Sequence, residues 1–124
     1  MTPTQRSLKL LRERGYFCAV VEKWNAHKKI RQDLFGFADI LACKPPSEHV
    51  LVQVCGGGGG ALAQRIAKIM AEPRATAWLN SGGMILAQQW VRRKPLKGKT
   101  RIRIELREKW LTSSECLTTV PRGE

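Results

Sequence analysis

Asp33 and Asp39 are the sequence's two aspartates, and both lie in the stretch 31–60, RQDLFGFADILACKPPSEHVLVQVCGGGGG. Asp39 interrupts an otherwise apolar run, 35–43. A carboxylate buried in such a run costs free energy unless it is paired or coordinates a metal. After a short turn, the run 49–54 (HVLVQV) carries Gln53, a polar residue where the pattern calls for an apolar or acidic one. Residues i and i+2 of a strand share a face, so Gln53 and Cys55 point the same way. Oxygen donors on two neighbouring strands are the ligand type that Mg²⁺ takes. A bound Mg²⁺ polarises a phosphoryl oxygen and activates water, which is the common route to phosphodiester cleavage at neutral pH.

Other carboxylates could join that set. Glu22 lies near the end of the run 16–24 (YFCAVVEKW), either as a strand-end surface charge or as a site residue. Asp33 is either a turn residue or a further ligand, directly or through another group. The five glycines 56–60 form either a flexible connector or a nest of N–H groups at a helix N-terminus. They lack the Lys-Ser/Thr of a P-loop, which argues against nucleotide binding.

These residues need a scaffold. A first helix covers 4–14, with Thr4 placed to cap it and Gly15 to stop it. The run 16–24 reads as a strand with Cys18, Val20, Glu22 and Trp24 on one face, and Trp24 as core. Residues 25–32 read as a polar loop, in which Lys28, Lys29 and Arg31 could reach a phosphate backbone. The second strand is 35–43, with Gly36 marking a bend or close approach. Pro45 and Pro46 end it, and 49–54 forms a third strand buried on both faces. A helix over 61–71 aligns Leu62, Ile66, Ile69 and Met70, with Arg65 on its flank and Lys68 facing away. A short helix over 74–80 brings Trp78 toward the core. Strands at 84–91 and 101–106 follow, and the latter alternates with Ile102, Ile104 and Leu106 inward. The order α-β-β-β-α-(α)-β-β predicts an α/β (α+β) fold with a mixed central sheet flanked by helices. Residues 1–111 read as one domain and 112–124 as a flexible tail.

The charge points to a partner. The chain has 22 Lys+Arg against 10 Asp+Glu, a net charge of +12. That excess favours a polyanion. Nine Lys/Arg fall between Arg92 and Lys109, among them Arg92, Arg93, Lys94, Lys97 and Lys99. With Trp90 and Trp110 nearby, they suit a DNA backbone track or form a solvated face. No apolar run approaches the ~20 residues that span a bilayer, and the N-terminus lacks a secretory signal's apolar core. The four cysteines form no C-x-x-C pair. Reduced thiols and a cytoplasmic location are therefore expected.

Gly15-Tyr16-Phe17, F-A-Asp39-I-L-A and L-V-Gln53-V-Cys55 resemble the PD-(D/E)XK nuclease superfamily, over roughly residues 5–107. The order is similar to that of small archaeal-type Holliday-junction resolvases and VRR-type nucleases. The resemblance implies a restriction-endonuclease-like core. It implies a Mg²⁺- or Mn²⁺-dependent endonuclease acting on branched or structured DNA, as a two-fold homodimer. Asp39 would be the motif aspartate and a metal ligand. Gln53 would stand at the motif Glu position, as in some VRR-type members, and Glu22 would be the additional acid that some members use. Two departures stand out. Ala38 replaces the motif proline, and Cys55 replaces the motif lysine. Arg65 or Lys68 could supply the missing charge, with helix geometry favouring Arg65. The departures also leave room for a degenerate nuclease fold that binds DNA without cutting it. A basic RNA-associated protein fits the charge, but it leaves Asp39 unexplained.

Overall fold

The computed structural model describes residues 1–112. It is a mixed α+β fold built on a five-stranded sheet, with three helices and a separate two-stranded ribbon. The sequence residues 113–124, including most of the expected tail, lie outside the described residues. No described helix is long and apolar enough to cross a membrane.

Helix α1 (Pro3–Glu13) starts at Thr2 rather than Thr4. The Thr2 hydroxyl accepts from Gln5 N at 3.1 Å, and Gln5 Oε1 accepts from Thr2 N at 2.9 Å. This reciprocal pair satisfies two backbone donors at the helix start, and Pro3 fits the first turn because its missing N–H would be unpaired there anyway. Gly15, at φ +96°, turns the chain out of the helix.

Strands β1 (Phe17–Val20), β4 (Ile40–Lys44), β5 (Glu48–Cys55), β6 (Met84–Arg93) and β7 (Arg103–Leu111) form the sheet in the order β1-β4-β5-β6-β7. All neighbours are antiparallel except β5 and β6, which run parallel. That parallel step requires a crossover. Helices α2 (Ala61–Met70) and α3 (Pro73–Asn80) provide it.

The pleat divides the core. Leu51, Ile85 and Ala87 face α2 and α3, with Ile69, Ala75 and Leu79. Val50, Val52, Val54 and Leu86 pack on the other face with Leu11 of α1. Strand β5 is therefore covered on both sides, as its apolar run predicts. The α2 stripe also packs as expected: Ile69 is buried, with Leu62, Ile66 and Met70 against the same cluster.

Several expected elements change. The run 16–24 is not one strand. β1 stops at Val20, opposite Ile40 where β4 begins. Val21 N still donates to Asp39 O at 2.9 Å, but beyond Asp39 the neighbouring chain folds into a turn closed by Leu34 N donating to Ala38 O at 2.9 Å, so β1 has no partner to continue along. Lys23–Asn25 (β2) instead pairs with Ile30–Gln32 (β3) as the separate ribbon. The expected loop 25–32 is thus a hairpin. Asn25 Oδ1 accepts from His27 N and Lys28 N to shape its turn. Trp24 is 63% exposed on this ribbon, not core. The second strand begins at Ile40 rather than Phe35, because Phe35 and Gly36 take positive φ in the turn. Gly36 does mark a bend, as read.

The last strand covers Arg103–Leu111, and Ile102 and Ile104 are 49% and 36% exposed rather than inward. Their alternation is genuine, but the β6–β7 arm runs past the end of β5. Residues paired with Cys55 reach only to Gln89, whereas β6 continues to Arg93.

Candidate metal centre

Asp39 sits immediately before β4, beside the C-terminal end of β5. Its N donates to Val52 O and its O accepts from Val21 N, both at 2.9 Å, so its backbone is fixed on two sides. The side chain turns into the protein and is 6% exposed. Its Oδ2 accepts from Val54 N at 2.7 Å and from Gln53 Nε2 at 3.1 Å. Gln53 Nε2 also donates to Val54 O at 3.3 Å. Gln53 Oε1 is buried and has no hydrogen-bond partner among the described residues.

Two further carboxylates converge here. Glu22 follows β1 and Asp33 follows β3, and the ribbon between them brings them together. One oxygen from each of Glu22, Asp33 and Asp39 lies within 4.8 Å of the others. Burial is the main reason that the Asp39 pKa is pushed up to about 8. The Val54 N–H opposes that rise, while the charge of Asp33, a hydrogen bond with Asp33 and the charge of Glu22 add to it. A cation bound among the three would favour the ionised form of Asp39.

The residues fit a hard divalent ion. All the available donors are oxygens, as Mg²⁺ and Mn²⁺ prefer. Oxygens bound to one Mg²⁺ at about 2.1 Å lie at most about 4.2 Å apart, so only a small closure of the three side chains is needed. Gln53 Oε1 offers a neutral carbonyl donor whose lack of a partner is otherwise costly.

A cleft at this end of the sheet places cations around the acids. Glu22, Arg31, Val54, Cys55, Gly56 and Arg65 are among its lining residues. Arg31 Nη1 pairs with Glu22 Oε1 at 3.0 Å. Burial raises the Cys55 thiol pKa, the Arg65 charge lowers it, and Asp39 raises it, so both charges act on this thiol. Lys68 is placed differently: it lines another cleft, with Gly36, Phe37, Ala71 and Glu72.

The other basic candidates are surface residues. Lys28 and Lys29 occupy the ribbon turn, and Arg92, Lys94, Lys97 and Lys99 are exposed on or beside the β6–β7 arm. Arg93 is held by Glu105, at 3.0 Å. β5 and β6 run in the same direction, so the arm emerges from the end of the sheet that carries Asp39 and Gln53.

Two features escaped the sequence reading. The Val54 backbone N–H is one, since a main-chain donor leaves no mark on residue type. The other is Gln89, which lies opposite Cys55 in the β5–β6 register and is fully buried, with neither end of its amide partnered among the described residues. The pair Gln88-Gln89 inside an apolar strand was its available signal. No protein-family model, curated protein or solved structure matches this chain.

Proposed function

We propose that this chain is a Mg²⁺- or Mn²⁺-dependent endonuclease of PD-(D/E)XK type, acting on branched or structured DNA as a homodimer. The observation that carries the reading is the meeting of Glu22, Asp33 and Asp39 beside the unpartnered Gln53 carbonyl. Asp39 and Gln53 would hold the metal, with Glu22 and Asp33 completing its oxygen shell. The metal, when bound, would supply Lewis-acid polarisation of the scissile phosphate and an activated water. The Val54 N–H and Gln53 amide fix the Asp39 carboxylate in orientation before any ligand arrives. Arg65, from the helix flanking the cleft, would balance the charge that develops on the phosphate. The exposed lysines and arginines of the arm and ribbon would hold the neighbouring backbone.

A second reading has its own support. Cys55 stands where a motif lysine would point, and Gln53 removes one negative ligand. A DNA-binding protein on a degenerate nuclease fold would have those features.

One assay separates the two readings. Purified protein is incubated with linear, flapped and four-way DNA, with and without Mg²⁺ or Mn²⁺, beside Asp39→Ala. Metal-dependent cutting that disappears in Asp39→Ala supports the nuclease. Binding without cutting on every substrate supports the degenerate relative. Equal activity in Asp39→Ala identifies a contaminant.

A further inference from the structure

Among the described residues, the arm carries apolar surface at Ile102 and Ile104 that is left exposed. Register pairs Trp90 with Leu106 and Arg92 with Ile104. These residues, with Ile102 two positions before Ile104, therefore share one face, the face that α1 packs against lower down. α1 reaches as far as Trp90, whose Nε1 donates to Ser7 Oγ at 2.8 Å. Beyond it no described residue covers the face, and Ile102 and Ile104 are exposed there.

A cleft of about 540 Å³ results, lined by Pro3 and Arg6 of α1, Gly56 and Gly57, and Trp90, Arg92, Ile102 and Ile104 of the arm. That volume lies within the roughly 300–1,000 Å³ of small-ligand sites. Among the described residues, two arginines and no carboxylate line it. Its indole is held in place: the Ser7 hydroxyl that accepts from Trp90 itself donates to Gln88 Oε1 at 2.7 Å. Pro3 and Gly56 line both this cleft and the one containing Glu22 and Arg65, so the two adjoin.

We propose that this cleft binds one unpaired nucleotide of the DNA strand, its base against Trp90 and Ile102 and its phosphates on Arg6 and Arg92. The inference rests on DNA being the partner, and it adds a preference for unpaired strands. A fixed aromatic with apolar neighbours suits a base, since every base has a π-face. Flanking arginines suit the phosphates on either side. A paired base would not enter, because its face is already stacked in the duplex.

The test uses the full chain at low salt with divalent metal withheld. One probe is a short single-stranded oligodeoxynucleotide carrying a fluorescent adenine analogue. The other is the same strand annealed into a duplex. Anisotropy reports binding, and analogue emission reports stacking. The single strand is expected to bind with quenched emission, and the duplex to bind without quenching. Ile102→Asp and Arg92→Ala are expected to weaken the single strand by about tenfold and the duplex by much less. Both positions are exposed, so these variants keep the fold. Trp90→Leu should abolish quenching. If the single strand and the duplex bind equally, with no quenching, and Ile102→Asp and Arg92→Ala weaken both alike, the cleft proposal is overturned while DNA binding stands. If neither probe binds, the DNA reading fails as well.

Discussion

Gln53 donates its amide N–H to Asp39 at 3.1 Å and leaves its own Oε1 buried with no hydrogen-bond partner among the described residues. The same side chain thus orients a carboxylate and presents a bare carbonyl beside a cluster of acids. An ionised glutamate here could not donate to Asp39, whereas glutamine orients it without adding a charge. It follows that Gln53→Glu should lower the stability of the metal-free protein, by adding a fourth carboxylate to a crowded site. It should also bind Mg²⁺ more tightly, by about tenfold. Thermal melts with and without Mg²⁺ measure both effects, and equal melting shifts in the two proteins would count against metal binding at this site.

The pKa of Asp39 gives metal-free stability a direction with pH. Between the ordinary carboxylate range and about pH 8, the unfolded chain has Asp39 ionised while the folded chain keeps it protonated. The folded state then binds more protons, so stability falls as pH rises. The contribution is fully present below the unfolded pKa and is lost as pH passes through about 8. Denaturant melts across that window should show the decline, and Asp39→Asn should flatten it. Added Mg²⁺ should displace the proton and reverse the trend.

Gln89 is fully buried, and both amide ends lack a partner among the described residues. Leucine at this position removes that polar burden at similar volume. Gln89→Leu is expected to stabilise the free protein by about 1 kcal/mol. Denaturant unfolding measures this. A loss of stability would mean that the amide has a partner in the folded state.

Ser7 links α1 to the sheet. It donates to Gln88 and accepts from Trp90, while Gln88 Nε2 donates to Glu108 Oε1 at 2.9 Å. Arg14 closes the chain with two bonds to Glu108, at 2.9 and 2.7 Å. Ser7→Ala strands a buried acceptor and a donor together, so it should cost about 1–3 kcal/mol. Ser7→Thr, which keeps the hydroxyl, should cost less. Equal losses would show that the site responds to shape rather than to hydrogen bonding.

What could be read from residues alone divides along physical lines. The buried strand β5 and the apolar stripe of α2 were legible because burial fixes residue type at a fixed period. Asp39 was legible because it breaks such a period. The end of β1 was not legible. YFCAVVEKW contains no glycine or proline, and the break at Val20 comes from where the neighbouring strand begins. Ile102 and Ile104 misled for a related reason: alternation shows that two residues share a face, not that anything covers it. The meeting of Glu22 with Asp33 depends on the ribbon β2–β3, which no spacing in the sequence announces.

The five glycines read as one monotonous tract, yet the fold makes unequal demands on them. A side chain on Gly56 would meet Pro3 Cγ at 3.1 Å. Gly57 and Gly59 have φ of +83° and +62°, a region that other residues enter at a cost. Gly58 and Gly60 have neither restriction, and an added Cβ there meets nothing within 4 Å. Under mutational drift the tract should therefore erode unevenly, with the second and fourth positions holding glycine, the first changing only where Pro3 gives way, and the third and fifth free to change.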